Sequence, residues 1–449
     1  MKKKVVSVLL CGLLGASLFA AGCGSSDDSS SDSSASTSAE SESSEDVSYE
    51  GVTLSLLIDT DTTDTGVIAV CDAATEALGM EFDIQYRVGG DEGDNLVKTE
   101  LASGDMCDIM VYNSGALLSA LNPSEYLYDL SDNETIMAAL DETYASTVTV
   151  DGATYGIPMS SSQAGAVMYN KEIYEEYGLE VPETWDEFIS NCEVLQDAGE
   201  TALIGSFADS WTTQVIFLGD NANVIAQDPD FAENLTNGED TYAGNEFALR
   251  SFEKMAELNA YYNEDYLATS YDDACDMLIN GDGAQWICLT QALSNMYELY
   301  GDEVNNIGVF AIPADDAEDT NLTVWMPSSL YLNASCENID AAIAFFEFYI
   351  SEEGLDTYTS TILPDGPYCI NDYEVPETAY TAVAEDMQAY FDNGNTGLAM
   401  EFLTDVKGSS CMDICQECGS GQTTAEEAAA KYDDDCLLQA QQLGYEWAQ

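Results

Sequence analysis

Residues 151–188 read DGATYGIPMSSSQAGAVMYNKEIYEEYGLEVPETWDEF, and three physical units follow one another in that stretch. Tyr155-Gly-Ile-Pro158 is extended, because the residue ahead of a proline is pushed out of the helical region by the ring. Residues 164–169 are a short apolar run that predicts a strand. Residues 170–177 are polar with helical spacing, and Gly178 stops them as a C-cap. Beyond Pro182, Thr184 is placed to cap a helix starting at Trp185, with Glu187 at the capping-box position. Strand, helix, loop and helix in this order make an α/β passage.

Working outward, residues 52–58 (VTLSLLI), 82–88 and 108–112 (DIMVY) predict strands. Between them, residues 66–79 carry Val67, Val70, Cys71, Ala74 and Leu78 on one helical face, and residues 94–102 predict a short helix. This β-α-β-α-β order predicts a parallel sheet with right-handed crossovers. Downstream, helices are expected at 185–198, 211–218, 243–259, 270–279 and 339–350. Strands are expected at 202–206, 284–289 and 307–312, and an extended run at 322–332.

The motifs "DG-x-x-YGIP", "YNK" and "PETWDEF" in the opening stretch resemble the middle of family 1 extracellular solute-binding proteins of ABC importers, carbohydrate type. Leu101-Ala-Ser-Gly-Asp-Met-Cys-Asp108 resembles that family's "LASGD-x-PD", with Cys107 in place of proline. Residues 280–286, residues 307–312 ahead of Pro313, and Thr423-Thr-Ala-Glu-Glu-Ala428 resemble further family passages. The resemblance implies an α/β, two-lobed periplasmic-binding-protein fold (type II). Three interlobe crossings are expected near Ile157, Asn321 and Leu363. Lobe I would comprise 51–157 plus 322–362, and lobe II 158–321 plus 363–449. A ligand would bind between lobes that close by hinge motion.

The amino terminus carries its own address. Three lysines precede an apolar stretch too short to span a membrane, and Leu18-Phe-Ala-Ala-Gly-Cys23 resembles a bacterial lipobox. Residues 1–22 therefore read as a lipoprotein signal peptide, with Cys23 as the lipid-bearing mature terminus. Residues 23–50 are serine- and acid-rich, too apolar-poor to offset ordering entropy, and read as a disordered tether. The expected location is the extracellular face of the bacterial cell membrane.

The chain has 449 residues with 84 acids and 10 bases. Removing the signal peptide takes three lysines and no acid. Such a surface excludes nucleic acid as a partner. The seven cations left are Arg87, Lys98, Lys171, Arg250, Lys254, Lys407 and Lys431, and none lies in the loops assigned below to the cleft. Phosphorylated sugars, uronates and free amino acids are disfavoured accordingly. Eleven cysteines follow Cys23; most sit in apolar periodic segments, where a buried thiol is the usual outcome. Cys411, Cys415 and Cys418 fall on one helical face and read as a buried face rather than a metal site.

Loops after the carboxyl ends of strands face the cleft in this architecture. They hold Asp59 and Asp61, then Tyr112, Asn113 and Ser114, and the 160–163 loop with Ser161, Ser162 and Gln163. Trp211 at a helix start and Trp325 on the return crossing join them, and resemblance to maltodextrin-binding members implies that polar and aromatic groups reach a sugar from such positions. In the loop after 284–289 the chain departs from many sugar-binding relatives, with Gln291 where they carry a tryptophan, which favours a small sugar over a long maltodextrin-like ligand. Carboxylates accept hydrogen bonds from hydroxyls, and aromatic faces pack on pyranose rings. Trp185 and Trp286 read as structural. With no histidine in the chain, His-based triads and His-containing zinc sites are excluded. No Gly-rich phosphate loop is present, and no cofactor is expected. The expectation is a non-enzymatic, monomeric lipoprotein that captures a small neutral carbohydrate and delivers it to ABC permease subunits. Alternatives are the same fold binding a polyamine or other organic cation, a surface glycan-binding lipoprotein without a transport role, and a secreted carbohydrate-active enzyme.

Overall fold

In chain order the strands of the first half are β1 (Thr53–Asp59), β2 (Glu81–Arg87), β3 (Ile109–Tyr112), the short pair β4 (Thr149–Val150) and β5 (Ala153–Thr154), and β6 (Gly156–Pro158). Those of the second half are β7 (Gln163–Asn170), β8 (Gln285–Leu289), β9 (Ile307–Ala311), β10 (Leu322–Trp325), β11 (Ser329–Leu332) and β12 (Thr396–Leu398). The structure is a computed structural model that describes residues 48–60, 62–376 and 382–449. The signal peptide, Cys23, nearly all of the tether and Asp61 lie outside the described residues.

The first sheet runs β2-β1-β3-β11-β6. β1 pairs in parallel with β2 and β3, so each link must cross over, and helices Thr65–Leu78 and Gly90–Ser103 make the crossings. The first of these helices buries Val67, Val70, Cys71 and Ala74. β11 inserts antiparallel between β3 and β6. Pro158 ends the edge strand β6, where a missing N–H costs no ladder bond. One core of mostly aliphatic side chains, from Leu54 to Ile370, belongs to this sheet.

The second sheet is built on β7, which is buried along nearly its whole length. β8 pairs with one side of it. The other side is shared: β10 lies opposite Gln163–Gly165, β9 opposite Ala166–Asn170, and β12 completes the edge beyond β10. A second core packs here, rich in aromatics such as Trp185, Phe188, Phe217, Phe252 and Tyr432. Among the described residues no helix is long and apolar enough to cross a membrane.

Several expectations change in detail. The helix at Trp185–Ala198 starts as read, and Thr184 accepts from Glu187 N, but Glu187 Oε2 returns to Glu183 N rather than to Thr184. Residues 202–206 form two single bridges, Leu203 to Tyr262 and Ile204 to Trp286, instead of a strand. The apolar run 322–332 is two strands in different sheets, broken at Met326-Pro-Ser328, so the return crossing falls there and not near Asn321. Pro327 explains the break, since it cannot donate to a continuing ladder. Tyr49, assigned to the tether, donates its N–H to Leu78 O and packs on the first core. It is the single aromatic of residues 24–50.

All eleven described cysteines are buried free thiols. Cys411, Cys415 and Cys418 line the buried side of helix Cys411–Gly419, and burial pushes the Cys418 thiol up to about 11.

Candidate functional site

The three chain crossings converge on one place. β6 ends at Pro158, and residues 159–162 lead straight into β7. The segment 363–368 returns alongside them. Ser162 donates from both N–H and Oγ to Pro367 O, each at 2.8 Å. Ser161 Oγ accepts from Asp365 N at 2.9 Å. From the second sheet, Thr290 Oγ1 donates to Asp365 O at 3.1 Å, and Ser294 Oγ donates to Asp365 Oδ1 at 2.5 Å.

Above this junction lies a cavity of about 520 Å³, within the range that holds a small molecule. Thr62, Thr63, Ser328, Tyr358 and Ile362 line it from the side of the first sheet. Gln163, Trp211, Tyr271, Leu289, Gln291, Ser294 and Asn295 line it from the second, and Ser160, Ser161, Leu363 and Asp365 form its floor. Two helix starts present the aromatics. Trp211 belongs to helix Ser210–Leu218 and Tyr271 opens helix Tyr271–Asn280. Asp209, which precedes the first helix, accepts from Tyr271 N at 2.7 Å and so ties the two starts together. The rings then meet with centroids 5.3 Å apart and 46° between planes. Asn295 Nδ2 donates to Tyr271 Oη at 3.1 Å, and Tyr271 rests in turn on Trp286, 5.5 Å away. The aromatic face is thus fixed from behind.

Among the described residues lining the cavity there is no lysine or arginine, and Asp365 carries the one carboxyl group. Burial pushes that carboxyl up to about 7, against side-chain and backbone hydrogen bonds from Ser294, which lower it.

Of the residues picked from sequence, Ser161, Gln163, Trp211 and Gln291 line this cavity. Ser162 is buried beneath it. Asn113 is exposed at its edge and accepts from Ser328 Oγ at 3.4 Å. Tyr112 and Ser114 are buried in the first core region. Asp59 stands 3.6 Å from Arg87, whose guanidinium also lies 5.4 Å from the centre of the Tyr112 ring. Arg87 lies outside the loops named from sequence, yet it reaches the end of one of them. Arg87 ends β2, and parallel register places it directly beside Asp59. Trp325 does not reach the cavity: it is buried, its Nε1 donates to Glu401 Oε1 at 2.8 Å, and its ring sits where a Cβ on Gly165 would clash at 2.5 Å. Asp61 lies outside the described residues.

Sequence reasoning missed Tyr271, Ser294, Asn295 and Asp365. Tyr271 was findable, because it follows the helix cap Ser270 just as Trp211 follows Asp209 and Ser210. Asp365 was marked only by its turn, Leu363-Pro-Asp-Gly-Pro367.

Residues 79–356 match the model of a family described as bacterial extracellular solute-binding protein. The chain is 30% identical over 118 residues to the multiple sugar-binding protein of Streptococcus mutans, covering 26% of this chain and 28% of that one. It is 23% identical over 227 residues to an ABC transporter extracellular-binding protein of Pyrococcus horikoshii, covering 47% and 51%. The chain thus spans about half or less of the length of the curated relatives it matches. Among solved structures, the SBP RafE in complex with raffinose aligns over 86% of this chain and 99% of that one, with a TM-score of 0.70 and 19% identity.

Proposed function

The chain belongs to the bacterial extracellular solute-binding protein family, and on that premise we propose that it captures a small neutral carbohydrate in the cavity between its two sheets and passes it to an ABC importer. The observation that carries this reading is the cavity lining. A fixed Trp211–Tyr271 face offers an apolar plane for a pyranose ring. Gln163, Gln291, Ser161 and Asn295 surround it with uncharged donors and acceptors suited to hydroxyls. Relatives named for sugars, including multiple sugar-binding protein and the raffinose complex, support the same class of ligand.

Family proteins of this kind are binding proteins located outside the cytoplasm, and this one acts without turnover of its ligand. It is held at the membrane by lipid on Cys23, through the tether that follows, and works as a monomer with permease subunits as partners. A thermal-shift screen of the mature protein across neutral mono- and oligosaccharides tests the ligand class. A ligand that binds only the folded state raises its melting temperature with concentration. If no neutral sugar does so, the reading fails.

One observation favours a second reading, an organic cation. Asp365 is an acid in an aromatic-lined cavity with no basic partner among the described residues. Of the two acids on which that reading drew, Asp59 faces Arg87, which removes much of its attraction for a cation, and Asp61 lies outside the described residues. Salt dependence separates the two readings.

A further inference from the structure

The floor of the cavity holds a carboxyl group. Asp365 sits between two prolines on the segment that joins the sheets, and its main chain is fixed from both sides: N–H to Ser161 Oγ, C=O from Thr290 Oγ1. Its position is therefore set by the crossings themselves. Its Oδ1 accepts from Ser294 Oγ at 2.5 Å, and the Ser294 backbone N–H also faces the carboxyl group. The titratable side chains that face it are Tyr271 and Tyr358, from the two helices packed against it, and Tyr368 from its own segment. Burial holds all three phenols well above their ordinary range, so they are neutral at any physiological pH. No lysine or arginine forms an ion pair with it among the described residues. The result is a carboxyl group on the cavity floor whose hydrogen-bond donors among the described residues both belong to Ser294, which leaves acceptor capacity for a ligand.

We propose that Asp365 is a specificity-determining residue of this cavity, its carboxylate accepting hydroxyl hydrogens from the sugar that stacks on Trp211 and Tyr271. The inference rests on the carbohydrate reading above and deepens it: the preferred sugar is one that turns a pair of donor hydroxyls toward the crossing segment while its apolar face covers the indole. A buried acceptor left unpaired by a deoxy analogue carries the full desolvation penalty, so discrimination at this position is strong. A proton follows from the same geometry. Hydroxyl donors favour the charged form of a carboxyl that burial has pushed up to about 7. Sugar binding below neutrality therefore displaces a proton from Asp365, and affinity rises with pH until the group is ionised.

The test is isothermal titration of the mature protein at several pH values between 5.5 and 8.5, using the neutral sugar that gives the largest thermal shift. Wild type is expected to bind about ten-fold more weakly at pH 6 than at pH 8, and to take up or release heat in proportion to the buffer's ionisation enthalpy near pH 7. The isosteric D365N should bind about ten-fold more weakly at pH 8, the difference between a charged and a neutral acceptor, with no pH slope. S294A, which deletes the larger of the two Ser294 hydrogen bonds that lower the carboxyl, should move the midpoint of the wild-type profile to higher pH. A flat wild-type profile, or equal affinity and slope in wild type and D365N, overturns the assignment while leaving a sugar-binding protein. If no neutral sugar binds at any pH, the carbohydrate reading itself is overturned, and this assignment with it.

Discussion

Replacing Trp211 with alanine isolates the aromatic face of the cavity. An aromatic side chain carries roughly 150–250 Å² of surface, and Trp211 is already partly buried against Tyr271. About 60 Å² is then left for a ligand to cover, which at about 25 cal/mol per Å² contributes about 1.5 kcal/mol. The expected loss is therefore about ten-fold in Kd, read by isothermal titration with the best sugar of the thermal-shift screen. Melting temperature should fall only modestly, because the indole packs at the margin of a core rather than inside it. Trp325→Ala supplies the contrast. That indole is buried on Gly165 and bonded to Glu401, so its loss should cost about 3–5 kcal/mol of stability and leave sugar affinity within about two-fold of wild type. Unchanged affinity in Trp211→Ala, with a large drop in melting temperature, would refute the assignment of this face to the ligand.

Three further outcomes are expected. Cys23→Ser should move the protein from the membrane fraction to the medium on cell fractionation; retention at the membrane with normal processing would sink the lipid anchor. Lys254→Ala should destabilise the fold by about 3–5 kcal/mol in urea denaturation. Lys254 Nζ lies 2.7 Å from Asp220 Oδ1 with both side chains buried, and its removal strands that charge; a loss under about 1 kcal/mol would contradict this. Asp365 should also mark the ligand-free protein. Its folded carboxyl is raised from 3.8 to about 7, so the folded state binds more protons in that window and stability falls as pH rises through it. D365N should remove that component, seen as a smaller loss of melting temperature between pH 4 and pH 7 than in wild type; identical slopes would contradict the assigned cause.

Much of this architecture was legible because its signals are local. The period of Val67, Val70, Cys71 and Ala74, the stop at Gly178 and the cap at Thr184 each act within a few residues, and each element formed where those signals placed it. What was illegible depends on pairing. Residues 322–332 look like one extended run, yet only tertiary register decides that Trp325 joins β7 while Ser329 joins β3. Arg87 meets Asp59 for the same reason, across a ladder that separates them by 28 positions of chain. The cavity was half visible. Trp211 and Gln291 follow from loop and helix-start positions, whereas Asp365 gains its character from burial beside Ser294, 71 positions away in sequence. Trp325 misled because a tryptophan on a crossing reads equally as ligand platform and as core, and here Gly165 leaves room for it beneath the sheet.

The central claim is that the cavity takes a neutral sugar, and titration at two ionic strengths tests it most directly. The mature protein, titrated with the best neutral saccharide at about 0.01 M and about 0.15 M salt, should bind one molecule per chain with a Kd that hardly changes. Absence of saccharide binding, together with polyamine binding that weakens markedly at the higher salt, would contradict the account and assign the cavity to a cation.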